Sequence, residues 1–166
     1  MRARPSRARS PARTAAPSAA RARRVRHAPY TPFAHTADAG ALVDGRSLRD
    51  LFEHAALALL DLGGDRHTVR PRRRVRIAVA GSSLEDLLVR WLSEILFLQE
   101  TRGWRFHAGR VDRIDRLRVT LAGVALGEPF DERRHGRGRE VKAVTYHRLR
   151  IARRRGRWSV PIVFDV

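Results

Sequence analysis

Residues 74–98 read RVRIAVAGSSLEDLLVRWLSEILFL, and this stretch contains the two patterns that decide the fold. From Arg74 to Ala80, β-branched residues alternate with Arg or Ala, which predicts a half-buried strand. After Gly81, either Ser82 or Ser83 supplies the N-cap of a helix. Its apolar residues recur every three or four positions, and they are Leu84, Leu87, Leu88, Trp91, Leu92, Ile95, Leu96 and Leu98. This spacing predicts the main core helix, ending near Arg102-Gly103.

Similar patterns lie on both sides of this stretch. Upstream, the sequence predicts strands over 30–36 and 39–43 and a helix from Ser47, with Asp50 completing a capping box and Gly63-Gly64 ending it. Downstream it predicts strands over 104–114 and 116–126 joined at Asp115, an interruption over 127–131, a polar loop over 132–139, a long strand over 141–151 and a final strand over 158–166. We therefore expect an α+β domain over 29–166, with a largely antiparallel sheet packed against two main α-helices.

Two details of the last strands can be checked against the structure. The alternation places Val141, Ala143, Thr145, His147, Leu149 and Ile151 on one face of the long strand. Pro161 lacks an N–H donor, so the final strand is expected at a sheet edge, or with the missing donor pointing away from a neighbour.

Composition excludes several classes of protein. The 166 residues include no cysteine, which excludes disulfide frameworks, thiol catalysis and cysteine-ligated metal centres. No run approaches eighteen consecutive apolar residues, so no membrane-spanning helix is expected. The formal charge of +18 raises affinity for any polyanion, which makes RNA a candidate partner of the basic surface.

Residues 1–28 carry nine Arg and no acid, with no apolar periodicity. We expect a disordered Arg-rich N-terminal extension, because such a segment cannot bury enough surface to fold alone. Three roles remain open for it: an arm that touches nucleic acid, a transit-type segment, or a solvated tail without function.

Few residues of the sequence indicate a catalytic or ligand-binding site. The sequence has no Walker loop, GxGxxG after a strand, GxSxG or HExxH motif. Five of the seven histidines are expected to be solvent-exposed: His27, His54, His67, His107 and His135. His35 and His147 neighbour other informative residues.

Two carboxylates are more informative. Asp38 lies at a predicted turn between two short strands, and Asp165 projects opposite to Phe164 and Val166 in the final strand. If folding brings these segments together, Asp38, Asp165 and the carboxylate of Val166 form an oxygen-only cluster, which hard cations such as Ca²⁺ or Mg²⁺ prefer. In the alternative interpretation, Asp38 forms a turn and Asp165 is solvated.

Six motifs in this order resemble the archease family over residues 30–166. They are HTADAG (35–40), SLRDLFE (47–53), LEDLLVRWL (84–92), GEPFD (127–131), KAVTYH (142–147) and the terminal FDV (164–166). The resemblance implies a cytoplasmic, non-enzymatic activator of the RtcB-type RNA ligase, which joins 3′-phosphate to 5′-hydroxyl RNA ends. Archeases promote guanylylation of that ligase and its multiple turnover in tRNA splicing or RNA repair.

The resemblance also implies a divalent-cation site at Asp38, Asp165 and Val166. Lys142, the only lysine among 35 basic residues, is expected near that site, and His35 and His147 are expected in supporting or core positions. The charge of +18 departs from the family, whose members are acidic or near neutral.

The sequence also bears on two other functions. An Arg-rich RNA-binding module acting without a ligase would show aromatic residues among basic ones on an exposed sheet face, but the aromatic residues here fall on predicted core faces. A metal-dependent hydrolase would need a general base or nucleophile beside the acids, and the sequence offers no convincing one.

Overall fold

The computed structural model describes residues 29–34 and 38–166, including the main chain but not the side chains of Ala34 and Asp38. The predicted N-terminal extension, residues 1–28, lies outside the described residues. The elements in chain order are β1 (Tyr30–Ala34), β2 (Asp38–Gly45), α1 (Leu48–Gly63), a 3₁₀ turn (Arg66–Thr68), β3 (Arg73–Ala80), α2 (Leu84–Arg102), β4 (Trp104–Asp115), β5 (Thr120–Pro129), α3 (Glu132–His135), β6 (Ala143–Thr145), β7 (Ala152–Arg154) and β8 (Arg157–Asp165).

Both long helices begin at the serine caps that the sequence indicates. Ser47 accepts a hydrogen bond from the backbone N–H of Asp50, and Ser83 accepts one from that of Asp86. These bonds satisfy N–H groups that have no partner within the helix. α2 ends at Gly103, whose φ of 60° lies in the left-handed region that glycine adopts without strain.

The strands form two antiparallel sheets, where the sequence predicted one. A five-stranded sheet has the order β1-β2-β8-β6, with β7 also paired to β8, and a three-stranded sheet has the order β3-β5-β4. α1 packs against β2, β4 and β8, and α2 packs against β3, β4, β5 and β6. Each helix therefore contacts both sheets, and the single α+β domain that was predicted is confirmed.

Trp91 lies at the centre of this packing and is fully buried. Its indole N–H donates to the carbonyl oxygen of Phe52 in α1 at 3.2 Å. Room for the ring comes from two glycines, because a Cβ would come within 2.8 Å of the indole at Gly109 and within 3.2 Å at Gly123. A larger residue at either position would push β4 or β5 away from α2.

The predicted long strand 141–151 is wrong. Only Ala143–Thr145 and Ala152–Arg154 are strands, and Arg148 between them has a φ of 56°. The intervening segment bonds to α2 instead, since the Tyr146 hydroxyl donates to Asp86 and the Ile151 N–H donates to Glu85. Burial does not follow the predicted face either, because Val144 is buried and Ala143 is exposed, whereas Val141 before β6 is buried.

Three smaller differences concern turns. The β4–β5 turn spans 116–119 rather than Asp115 alone, and Asp115 accepts the N–H groups of Leu117 and Arg118 within it. β5 continues through the predicted interruption at 127–129, and the predicted polar loop contains α3.

Pro161 does not make β8 an edge strand. β8 pairs with β2 along its whole length, while its other side pairs with β7 at residues 157–159 and with β6 at 163–165. Pro161 lies between the residues of β8 that pair with β6 and those that pair with β7. On that side of β8 it faces no neighbouring strand in the described residues, so its missing N–H donor leaves no hydrogen bond unmade there.

We expect alanine substitutions at a buried leucine and at an exposed leucine to differ strongly in their effect on the stability of the protein. Leu92→Ala empties a fully buried position and should lower the free energy of unfolding by about 2–5 kcal/mol. Leu117→Ala removes the same atoms from a side chain that is 96% exposed and should change it by less than about 0.5 kcal/mol. Urea unfolding of both variants measures the difference, and equal losses would contradict the assigned core.

Candidate functional site

The end of β8 is held between two neighbouring strands. Asp165 lies opposite Asp38 of β2 on one side and opposite Ala143 of β6 on the other. The carbonyl oxygen of Asp165 also accepts the backbone N–H of Lys142 at 2.9 Å. The last residues of the sequence are therefore fixed on both sides.

Alternation along β8 decides which groups reach solvent here. Phe164 is fully buried, whereas Asp165 is exposed on the opposite face. The Lys142 ammonium donates to the main-chain oxygen of Val166 at 3.2 Å. Lys142 and Asp165 are exposed and Val166 is half-buried. These three residues, with Asp38 opposite Asp165 in the register, lie at one end of the sheet, which we call the β8 tip.

The structure brings together some of the predicted site residues but not all. Asp38 faces Asp165 by main-chain register, and Lys142 joins them, as expected from its place beside the final strand. His147 is exposed and lies two residues beyond β6, whose chain direction leads away from Asp165. His35 lies outside the described residues, as does the side chain of Asp38. Among the side chains that are described, no three His, Asp or Glu form a metal-binding group.

A second polar group, missed at the sequence level except as a helix cap, surrounds Asp86 at the start of α2. Its carboxylate accepts hydrogen bonds from the Tyr146 hydroxyl at 2.7 Å, from the Ser82 N–H at 2.8 Å and from Arg90 Nε at 3.0 Å. These donors, the Tyr146 hydroxyl first, hold the pKa of Asp86 well below its ordinary value. The capping serine is the sequence signal for a role of Asp86. The contact of Asp86 with Tyr146 depends on the bend of the chain after β6, which the sequence did not predict.

A third group centres on Glu128, which is buried in β5. Its carboxylate accepts the Arg70 N–H at 2.7 Å and two bonds from the Arg134 guanidinium at 2.9 and 2.8 Å. The Arg70 N–H is the largest of the causes that lower the pKa of Glu128 to about 2. The carboxylate joins three separate segments of chain.

His135 completes the Glu128 group, and its predicted exposure is wrong. Its side chain is 2% exposed, and its Nδ1 accepts the backbone N–H of Asp131 at 3.0 Å. Nε2 therefore carries the hydrogen and donates to Glu128 at 3.2 Å. Although His135 borders a cavity of about 490 Å³, both ring nitrogens are already bonded, so it offers no free base to that space.

Comparison with known proteins identifies the family. Residues 30–166 match the Archease protein family (MTH1598/TM1083). This chain belongs to the archease family. It is 40% identical over 139 residues to protein archease of Methanopyrus kandleri, covering 83% of this chain and 99% of that protein. It is 36% identical over 134 residues to protein archease of Sulfurisphaera tokodaii, covering 81% and 96%.

Solved archease-family structures share the fold. The solution structure of Methanobacterium thermoautotrophicum protein 1598 has a TM-score of 0.71 at 32% identity, covering 83% of this chain and 99% of that one. The crystal structure of a Thermotoga maritima archease, described as a possible chaperone, has a TM-score of 0.56 at 25% identity, covering 82% and 96%. The family resemblance that the motifs indicated is confirmed. No helix in the described part of this archease-family chain has the length and apolar character needed to cross a membrane.

The Glu128 group predicts an acid-dependent loss of stability. Because its pKa is lower in the folded chain, the stabilisation is complete above the ordinary value of about 4.5 and is lost as pH falls from there through about 2. In urea unfolding, the stability advantage of wild type over Glu128→Gln should be constant from pH 7 to about 5 and shrink below it.

Glu132→Gln is the control, since Glu132 is an exposed glutamate whose one ion pair within the described residues, with Arg137, is also exposed. The difference between wild type and this variant at pH 7 should be small. An advantage over Glu128→Gln that does not shrink on acidification would contradict the ionised network.

Proposed function

We propose that this archease-family chain is a non-enzymatic activator of the RtcB-type RNA ligase, acting through a divalent cation held at the β8 tip. Membership of the family supports the choice of partner. The description of the Thermotoga maritima relative as a possible chaperone is consistent with a role exerted on another protein. The observation that carries the proposal is the register that puts Asp38 opposite Asp165.

That register pairs two aspartates, and a cation bound between their carboxylates would reduce the repulsion between them. Directly opposite residues of an antiparallel pair share a face of the sheet and lie about 4.5–5.5 Å apart at Cβ. Two carboxylates in such a pair repel each other, so the arrangement favours a counter-ion. Lys142 is near, but its ammonium is bonded to Val166.

The donor set fits a hard cation. Asp38 and Asp165 contribute carboxylate oxygens, and Val166 contributes main-chain oxygen, which is the ligand chemistry of Ca²⁺ and Mg²⁺. Such an ion, when bound, would neutralise the carboxylates and leave coordination positions for oxygen atoms of a partner. Thiolate-seeking metals are disfavoured, because the chain has no cysteine.

The β8 tip suits contact with a partner protein because it is rigid and exposed. β2 and β6 hold Asp165 from both sides, while the buried Phe164 anchors the strand to the core. A tip that binds the guanylylation-competent conformation of the ligase better than its other conformations would shift the population toward it. No chemical step by the archease-family chain itself is required.

Activation of the ligase is tested by two substitutions in the same strand. Asp38→Asn changes the residue opposite Asp165, and Asp44→Asn changes the residue opposite Ser159 at the far end of β2. With RNA in excess over the cognate RtcB-type ligase, wild type and Asp44→Asn should sustain multiple turnovers, whereas Asp38→Asn should leave the ligase near one turnover.

If wild type raises neither turnover nor guanylylation, the proposed function is wrong. If Asp38→Asn activates as well as wild type, the proposed site is wrong. Adding residues after Val166 should also abolish activation without unfolding the domain, since the added chain would occupy the β8 tip.

Cation binding is tested without the ligase. A ligand that binds only the folded chain raises the thermal midpoint by mass action. Millimolar Ca²⁺ or Mg²⁺ should raise the midpoint of wild type and Asp44→Asn, and should have a much smaller effect on Asp38→Asn and Asp165→Asn. A rise of equal size in all four proteins would show that the ion binds elsewhere.

A further inference from the structure

The end of β8 opposite to the β8 tip is strongly basic. Two chain-distant turns supply its arginines: the β4–β5 turn and the β7–β8 hairpin. We call this surface the arginine end, and it consists of Arg116, Arg118, Arg153, Arg154, Arg155 and Arg157. All except the half-buried Arg157 are exposed, and segments 116–119 and 152–158 contain no acid.

Trp158 shows that the two turns lie against each other. The guanidinium of Arg116 lies 5.8 Å from the centre of its ring, and that of Arg153 lies 5.5 Å from it. Both distances are within the range of cation–π contacts. The half-buried indole therefore contacts both the β4–β5 hairpin of the three-stranded sheet and β7 of the five-stranded sheet. The arginines of the two turns lie on one surface as a result.

Within the described residues the arginine end has no ion pairs, a property that it shares with Arg72, Arg73 and Arg74 beside β3. Six other arginines in the described residues each form an ion pair with an acid: Arg66, Arg90, Arg110, Arg113, Arg134 and Arg137. In the same described part of the chain, no arginine of the arginine end does so. The one acid beside the β4–β5 turn, Asp115, is bonded to two N–H groups of the turn and to Arg113. The six arginines thus lack an ion-pair partner in the described residues, although Asp44 of β2 lies opposite Ser159 at this end of the sheet. A bound polyanion would reduce the repulsion among them.

One of these arginines also occupies an unfavourable backbone position. Arg155 has a φ of 48° and precedes Gly156, whose φ is 77°. Two consecutive left-handed residues in a two-residue hairpin favour Asn-Gly or Asp-Gly. Arg155 thus places a cation where the backbone favours a small residue.

We propose that the arginine end binds the phosphate backbone of single-stranded RNA, independently of base sequence. Guanidinium groups match phosphate oxygens with paired hydrogen bonds, and several unpaired ones on adjacent turns provide a multivalent contact. Base stacking is not part of the proposal, because Arg116 and Arg153 already flank Trp158. The contact is therefore electrostatic and strongly salt-dependent.

An anionic membrane is the less favoured partner. Surfaces that adsorb to membranes combine cations with several exposed apolar side chains. Among the large apolar residues that are exposed in the described part of the chain, Leu117 is the only one within these two turns.

The arginine end and the β8 tip occupy opposite ends of one strand. From Arg157 to Asp165 the chain makes eight residue steps, which at about 3.3 Å each separates the two surfaces by about 26 Å. RNA and a protein partner could then be held at the same time without competing for one surface. The RNA contact itself does not depend on the proposed ligase partner.

The test compares two charge-matched triple variants of the full chain. Arg116, Arg153 and Arg154 are changed to Gln in one, and the exposed Arg72, Arg73 and Arg74 at the start of β3 are changed to Gln in the other. Both lose three charges and keep residues 1–28, so the net charge and the N-terminal segment are matched. The probe is a fluorescein-labelled 20-nucleotide oligouridylate, with binding followed by anisotropy from 50 to 300 mM NaCl and no ligase present.

We expect the first variant to bind about tenfold more weakly than wild type or worse, with a salt slope smaller by about 2, since each lost contact to a single strand removes about 0.7. The β3 variant should change affinity by about twofold or less. Asp165→Asn should bind RNA like wild type, which separates this result from failure of the proposed ligase function. Thermal unfolding of each variant checks that the fold is kept.

Three results would overturn the proposal: no binding by wild type at 50 mM NaCl, equal losses in the two triple variants, or preferential binding of the arginine end to phosphatidylserine vesicles over the oligouridylate.

Discussion

The interior position of β8 is the constraint on which the rest of this molecule depends. This strand pairs with β2 through eight consecutive residue pairs and with β6 and β7 on its other side. It therefore joins chain segments from both ends of the domain, and its buried residues, Val160, Ile162 and Phe164, belong to the same core as Trp91. Without β8, β2 would lose a neighbour along its length, while β6 and β7 would have no partner strand.

The same strand separates opposite charges. At one end, Asp165 is fixed opposite Asp38, and at the other, Arg157 lies in a surface of six arginines. A rigid strand maintains that separation at no further entropic cost, because its backbone is already ordered by both neighbours. The proposed cation and the proposed RNA contact both follow from this arrangement, since each would neutralise like charges that folding brings together.

The other polar clusters have a structural role. Glu128 connects the segment before β3 to α3, and Asp86 connects the start of α2 to Tyr146. Within the described residues, no buried side-chain nitrogen or oxygen lacks a hydrogen-bond partner. Saturated groups of this kind order irregular segments of the chain.

The sequence by itself determined the two long helices, the alternating strands β3 and β8, the class of the fold and the family. Ser47, Ser83 and the glycines after each helix marked the boundaries of α1 and α2 because capping is a local interaction. The alternation in β3 and β8 likewise depends only on neighbours along the chain. Tertiary structure decided the two-sheet arrangement, the break between β6 and β7, the burial of His135 and the place of Pro161 inside a sheet. Each of these depends on a partner distant in sequence, such as Glu85 for Ile151 or Glu128 for His135. The sequence predicted a cluster of Asp38 and Asp165 on the condition that folding brings their segments together. Only the pairing of β2 with β8 set them opposite each other, because register is fixed by the packing of whole strands.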